Sequence, residues 1–193
     1  MTRLLAAVLC AEDLPVAELC AARLDGEVFA VDECFAPVDI ADSPALRGAA
    51  LLSLVGPRAV AVHESALWVH GLLCRPPTTH DVRVPRRSRV RLPHSHRLRG
   101  GEREFTAADL QTVGGMTVTT VLRTAVDLLF ADGFGVARYR LVESVLACDP
   151  TYAGRCAELI GSAGHRPGKR RAAQRLAELL DGGAQAAQPA LTR

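Results

Sequence analysis

The chain has 193 residues with a formal net charge of +2; 49% of them are hydrophobic and 23% are charged, a composition that excludes an intrinsically disordered protein. No apolar run approaches the roughly 18 residues that would span a bilayer, and the apolar run at residues 4–10 lacks the small-residue cleavage site of a secretory signal. We therefore expect a cytoplasmic protein with no membrane segment.

The first 42 residues predict a small winged-helix-like segment. Its predicted elements are helices over residues 4–10 and 14–24 and paired strands over residues 28–31 and 34–38. The charge of this segment does not suit a DNA-binding surface, because only Arg3 and Arg23 oppose nine acids between Glu12 and Asp42. Carboxylates there would be repelled by phosphate, which puts operator binding by this segment in question.

Residues 43–181 predict an α+β domain, and residues 182–193 a frayed tail. Ser43 and Pro44 have the residue types of a helix N-cap and first turn, and the Gly114-Gly115 pair predicts a two-residue hairpin turn. The other predicted elements are a helix from Pro44 to a stop at Gly56, a strand over residues 59–62, a helix over 64–70 with Trp68 in the core, hairpin strands over 110–113 and 116–119, and helices from Thr119 or Thr120 through 129 and over 135–147, 152–162 and 167–181.

Charge is distributed unevenly along the chain. Residues 1–80 carry five arginines and ten acids, whereas residues 81–193 carry 18 bases and 11 acids. The stretch after Asp81 predicts a hairpin with strands over residues 81–85 and 89–92, whose valines face a core and whose arginines face solvent. Guanidinium groups on such a face would bind phosphate, or they would simply be solvated. The candidate contacts to nucleic acid or an acidic partner in this acid-free stretch are Arg83, Arg86, Arg87, Arg89, Arg91 and Arg97.

A second basic run lies between residues 165 and 175. Pro167 occupies the expected first turn of the last helix, where crowded cations oppose the helix macrodipole unless an anion is near. Arg170 and Arg171 are therefore further candidate contacts, with a solvated helix face as the alternative.

The sequence predicts no catalytic, metal or cofactor site. The only lysine, Lys169, has Pro167 two residues before it, so the acid-x-lysine arrangement of nucleases cannot form, and no phosphate-binding glycine loop is present. The six cysteines contain no C-x-x-C pair and predict reduced, mostly buried thiols. His63, His70 and His80 are predicted to be structural. A metal site of His94 and His96 with Glu102 and Glu104 is the weakest alternative.

Four segments in order carry a family resemblance: the ribbon before Asp39, VHESALWVHGLL at residues 62–73, DVRVPRRSRVRLPHSHRL at 81–98, and VGGMTVTTVLRTAVDLL at 113–129. Together they resemble the AbiEi-like proteins of actinobacteria, antitoxins of type IV toxin–antitoxin systems, over about residues 14–181. The resemblance implies an N-terminal winged helix that binds operator DNA and represses its own operon. It also implies a C-terminal α+β domain that supports repression and neutralises a nucleotidyltransferase toxin.

Within the last segment, Thr120, Arg123 and Asp127 look like the strand-to-helix signature of that α+β domain. Arg123 lies four residues before Asp127, which is the less favourable orientation for a helical ion pair, so we expect Arg123 to have a tertiary partner.

Two functions follow from the sequence. The first is a non-catalytic, DNA-binding regulator of the antitoxin type. The second is a protein-interaction module without DNA binding, which the acidic N-terminal segment favours.

Overall fold

The computed structural model describes residues 7–86 and 92–186, with side chains through 182. They belong to two compact units, Met1–Thr120 and Val121–Arg193. The architecture is α+β, as predicted. None of the helices in the described ranges has the length and apolar character to cross a membrane.

The described residues form seven α-helices and seven strands. The helices are α1 Val16–Leu24, α2 Pro44–Val55, α3 His63–Val69, α4 Val121–Phe130, α5 Val136–Cys148, α6 Tyr152–Gly161 and α7 Lys169–Ala186. The strands are β1 Val28–Val31, β2 Cys34–Pro37, β3 Val60–Ala61, β4 His80–Arg83, β5 Leu98–Arg99, β6 Leu110–Val113 and β7 Met116–Thr119. Most predicted elements are thereby confirmed within one or two residues.

The first unit contains a five-stranded sheet and a separate two-stranded ribbon. The sheet order is β5-β4-β3-β7-β6, in which β3 is antiparallel to β4 and parallel to β7. Strands β1 and β2 form the ribbon. Residues of the ribbon share one hydrophobic core with α2 and the sheet, centred on the buried side chains of Leu51, Trp68 and Met116. The predicted role of Trp68 as a core residue is confirmed.

Helix α2 packs directly on the turn between β6 and β7. Ser43 caps this helix by accepting a hydrogen bond from the Leu46 amide at 3.2 Å. A Cβ atom on Gly48 would lie 2.0 Å from the Val113 carbonyl oxygen, and one on Gly114 would lie 1.9 Å from the Ala45 carbonyl oxygen. Both contacts are too short for any side chain, so the glycines allow the helix backbone to touch the turn backbone.

Local structure differs from the predictions at several points. Residues 7–10 are not helical, because Leu9 forms an isolated antiparallel bridge to Phe35 beside the ribbon. Only α1 precedes the ribbon in the described part of the chain, so the helix pair of a winged helix stays a prediction. Helix α7 begins at Lys169, two residues beyond Pro167, and it continues to Ala186 into the predicted tail.

Another difference concerns the hairpin predicted after Asp81. Strand β4 lies between β3 and β5, and its second neighbour is the parallel strand Leu98–Arg99. Of the predicted partner strand over residues 89–92, residues 89–91 lie outside the described residues. Val82 and Val84 are buried, as the alternating pattern predicts.

The cysteine prediction also needs correction. Cys10 and Cys34 form a disulfide that joins the N-terminal segment to β2. Cys20, Cys74 and Cys148 are exposed free thiols, and only Cys156 among the free cysteines is buried. The absence of a C-x-x-C pair does not exclude this disulfide, because its two cysteines are 24 positions apart in the sequence.

The second unit is a group of four helices built around α4. Eight of the ten residues of α4 are buried, because α5, α6 and α7 all pack against it. Helices α6 and α7 each present one apolar face, with Ile160 and Leu176 among their buried residues. This unit therefore has its own core.

Replacing Gly48 with alanine should destabilise the protein by about 1–3 kcal/mol or more, because the new methyl group meets a backbone carbonyl oxygen that must shift to make room. Gly154→Ala is the matched control: its Cβ meets no atom within 4 Å, so it should stabilise α6 by about 0.5–1 kcal/mol. Urea unfolding followed by circular dichroism measures both. Equal effects of the two variants would contradict the close packing.

Thiol titration should distinguish the cysteines. Burial raises the pKa of the Cys156 thiol to about 11, so it is a poor nucleophile at neutral pH. A thiol reagent should react with three cysteines in the native protein, four after denaturation and six after denaturation and reduction. Six reactive thiols without reductant would contradict the disulfide.

Candidate nucleic-acid interface and the polar network beside it

The described arginines of the first basic stretch differ in how freely they face solvent. The Arg83 side chain is 19% exposed, and its guanidinium donates to the Val82 carbonyl oxygen at 2.8 Å. Arg86 is exposed, and the Arg99 side chain on the edge strand β5 is 66% exposed. Among the predicted contacts, Arg87, Arg89 and Arg91 lie outside the described residues. Arg86 and Arg99 are thus the described arginines here that are most accessible to an anion.

Arg97 is held by intramolecular contacts. Its guanidinium forms ion pairs with the buried Asp32 carboxylate and with Glu33, the latter at 2.9 Å. It also donates to the carbonyl oxygens of Pro77 and Thr78, at 3.2 and 2.6 Å. These partners fix Arg97 between the ribbon turn and the segment preceding β4, so its donors are engaged within the first unit.

Asp32 begins a buried chain of hydrogen bonds. This residue has a positive φ of 58° at the ribbon turn, and its carboxylate accepts from His80 Nε2 at 2.9 Å. The other ring nitrogen of His80, Nδ1, lies 3.1 Å from Ser65 Oγ. The Ser65 Oγ atom in turn accepts a hydrogen bond from the Asp81 backbone amide at 2.9 Å. The order Asp, His, Ser matches that of a hydrolase triad. Because Ser65 and His80 are fully buried, no substrate reaches the hydroxyl, and the arrangement is structural.

Asp81 is the second buried carboxylate of this network. Its Oδ2 atom accepts from His63 Nδ1 at 3.2 Å, while its buried Oδ1 atom accepts no hydrogen bond in the described structure. The guanidiniums of Arg83 and Arg99 lie 3.8 and 3.9 Å from Oδ1. Burial acts to raise the pKa of Asp81, but the hydrogen bond from His63 and the nearby arginines together lower it. The carboxylate is therefore ionised at neutral pH.

Metal-binding donors meet at this position. His63, Glu64 and Asp81 each offer one ligand atom, and these atoms lie within 4.8 Å of one another. His63 has a positive φ of 52° at the start of α3, which is unusual for a residue other than glycine. Sequence spacing does not predict this cluster, because Asp81 comes from a strand 18 residues away.

The signature residues of the last segment have separate roles. The Thr120 amide donates to the Asp109 carbonyl oxygen at 2.9 Å, which closes the end of the β6–β7 hairpin. In α4, Arg123 Nε pairs with the buried Asp127 carboxylate at 3.1 Å, and Arg166 contacts the same oxygen at 3.5 Å. Arg166 also stacks on the Phe130 ring at 3.9 Å. The buried carboxylate thus joins α4 to the segment before α7.

The second basic run forms a concave surface before α7. Arg170 is exposed, whereas Arg171 is paired with Asp132 at 2.8 Å and Lys169 donates to the Gly161 carbonyl oxygen. The other lining residues are Gly164, His165, Arg166 and Gly168. Both arginines predicted here as contacts are exposed, and the Arg171 side chain is 53% exposed despite its pair with Asp132.

Comparison with known proteins identifies the family. Residues 59–182 match the AbiEi antitoxin C-terminal domain, and this range is well over half of the chain. The chain therefore belongs to the AbiEi antitoxin C-terminal domain family. No curated protein matches it. One similar solved structure is the RV2827C protein from Mycobacterium tuberculosis, with 18% sequence identity and a TM-score of 0.38, covering 90% of this chain and 76% of that one.

Replacing Arg97 with methionine should destabilise the first unit by about 3 kcal/mol, because Asp32 keeps a buried charge without its strongest cation. The matched control is Arg86→Met, which removes an exposed guanidinium and should change stability by less than about 0.5 kcal/mol. Chemical unfolding monitored by Trp68 fluorescence reports on this unit. A decrease in unfolding free energy no larger than that of Arg86→Met would contradict the stabilising role of Arg97.

His70 should make stability depend on pH. Its Nε2 atom donates to the Thr119 carbonyl oxygen at 2.8 Å, and burial lowers the pKa of the ring below its usual 6.5. Protonation thus favours the unfolded chain, so this contribution is present above pH 6.5 and is lost as the pH falls toward the lowered pKa. Between pH 7.5 and about 5, His70→Gln should flatten the decline in unfolding free energy, whereas the exposed control His94→Gln should leave it unchanged.

Proposed function

We propose that this protein is a non-catalytic regulator of the antitoxin type, which acts in the cytoplasm as an autoregulatory DNA-binding repressor of its own type IV toxin–antitoxin operon. Membership of the AbiEi antitoxin C-terminal domain family is the observation that carries the antitoxin part. The DNA-binding part is supported by residues 82–99, where seven arginines occur with no acid among them and the described Arg86 and Arg99 are exposed, because a surface selected only for solubility mixes both signs of charge.

The accessible arginines give the proposal a physical basis. Arg86 and Arg99 have exposed guanidiniums, and a guanidinium binds a phosphate through two parallel hydrogen bonds. Phosphate contacts position a protein on the duplex without reading its sequence. Arg170, in the second unit, is a further candidate contact.

A second function, binding to a protein partner such as a nucleotidyltransferase-type toxin, is favoured by the surface of α1. Leu24 is 89% exposed and Val16 is 56% exposed on this helix, and Val38, which follows β2, is 58% exposed. The helix and the residue that ends it also carry the acids Glu18 and Asp25. Exposed apolar side chains together with acids suit a basic protein surface better than a nucleic acid.

The DNA-binding proposal predicts that the triple variant Arg86→Glu, Arg87→Glu and Arg89→Glu loses binding to duplex DNA. Anisotropy titrations over a range of salt concentrations measure this, and each lost phosphate contact should reduce the slope of log K against log salt by about 0.9.

A control triple variant with the same change of net charge uses exposed arginines elsewhere in the first unit: Arg23→Glu, Arg58→Glu and Arg75→Glu. It should bind more tightly than the first triple variant. Equal loss in both variants would mean that overall charge, rather than the stretch at residues 82–99, controls binding.

A further inference from the structure

We propose that His63, Glu64 and Asp81 bind one divalent transition-metal ion, with Zn²⁺ preferred over Mn²⁺ and Mg²⁺. Metal binding at this site and DNA binding are separate properties, so either proposal can be wrong without the other.

The donor geometry supports a metal site. His63 Nδ1 and Asp81 Oδ2 are 3.2 Å apart, close to the distance of about 3.3 Å between two ligands of a tetrahedral ion bound at about 2.0–2.1 Å. In the metal-free protein a proton occupies this space, because Nδ1 donates to Oδ2. A metal ion would replace that proton, and Glu64 supplies a third donor within 4.8 Å of both atoms.

An unsatisfied oxygen gives independent support. The Asp81 side chain is 9% exposed, and its buried Oδ1 atom accepts no hydrogen bond, with the Arg83 and Arg99 guanidiniums 3.8 and 3.9 Å away. Buried polar atoms in proteins nearly always accept or donate a hydrogen bond, and a bound ion is one of the few physical reasons for an exception. Bidentate ligation by Asp81 would place both of its oxygens on the ion and satisfy Oδ1.

A bound cation would share the site with two arginines, Arg83 and Arg99. Arg83 is anchored to the Val82 carbonyl oxygen, and Arg99 is largely exposed and free to turn away from Asp81. The two arginines offset the two carboxylates, so a bound dication would leave an excess positive charge at the site. Rotation of the exposed Arg99 side chain away from Asp81 would reduce that excess.

The donor types select among metals. One imidazole nitrogen with two carboxylates suits Zn²⁺ and, more weakly, Mn²⁺, whereas Mg²⁺ prefers oxygen ligands alone. The order of affinities for first-row ions places Zn²⁺ above Mn²⁺. Binding should therefore be tightest for Zn²⁺, weaker for Mn²⁺ and absent for Mg²⁺.

Isothermal titration of the metal-stripped protein with ZnCl₂, MnCl₂ and MgCl₂ tests the site. The exposed thiols would bind zinc themselves, so all measurements use a background in which Cys20, Cys74 and Cys148 are serine. We expect one Zn²⁺ per chain. His63→Gln and Asp81→Asn should each weaken Zn²⁺ binding by at least about tenfold, since losing a ligand costs more than losing its outer-shell support.

The matched control replaces two exposed histidines of the same unit, His94→Gln with His96→Gln, and should bind Zn²⁺ as the background does. Circular dichroism checks that each variant folds. If Asp81→Asn does not fold, Glu64→Gln, which changes a half-buried side chain, decides in its place. The proposal is overturned if the background protein binds no Zn²⁺, if binding survives in the ligand variants, or if the control pair loses it.

Discussion

The first unit depends on one buried carboxylate, that of Asp32 at the tip of the ribbon. Removing this charge from water is costly, and the cost is offset only because Arg97 and His80 both reach it. Arg97 comes from the end of the acid-free stretch, directly before β5, and His80 from the start of β4. The same network continues through Ser65 to Asp81, so the ribbon, α3 and β4 are joined by polar contacts that a hydrophobic core alone would not specify.

Because the buried Asp32 carboxylate needs a cation beside it, the arginines of the acid-free stretch have different roles. In the sequence, Arg97 and Arg86 are members of one acid-free run, and both are candidates for phosphate binding. In the structure, Arg97 has two carboxylates and two carbonyl oxygens as partners, whereas Arg86 is exposed. The acids that Arg97 needs lie more than 60 residues earlier in the chain, inside the acidic N-terminal segment. Part of the charge imbalance between the two halves of the sequence is thus compensated within the first unit.

Sequence patterns predict the elements whose signals are local. Ser43 and Pro44 mark the start of α2, and the Gly114-Gly115 pair marks the β6–β7 turn, because caps and tight turns depend on adjacent residues. The errors involve distant partners. The bridge from Leu9 to Phe35, the disulfide from Cys10 to Cys34, and the parallel pairing of β4 with β5 all join residues that local periodicity does not relate. Local periodicity likewise does not relate His63 to Asp81, so it does not predict their donor cluster.

We propose that this member of the AbiEi antitoxin C-terminal domain family binds DNA to regulate its own operon. The decisive measurement is fluorescence anisotropy of the purified protein with the DNA upstream of its own gene and an unrelated duplex of equal length, each at several salt concentrations. We expect tight, salt-sensitive binding that prefers the upstream DNA. Absence of binding to either duplex at low salt would contradict it and would leave the acidic, apolar surface of α1 as the functional face.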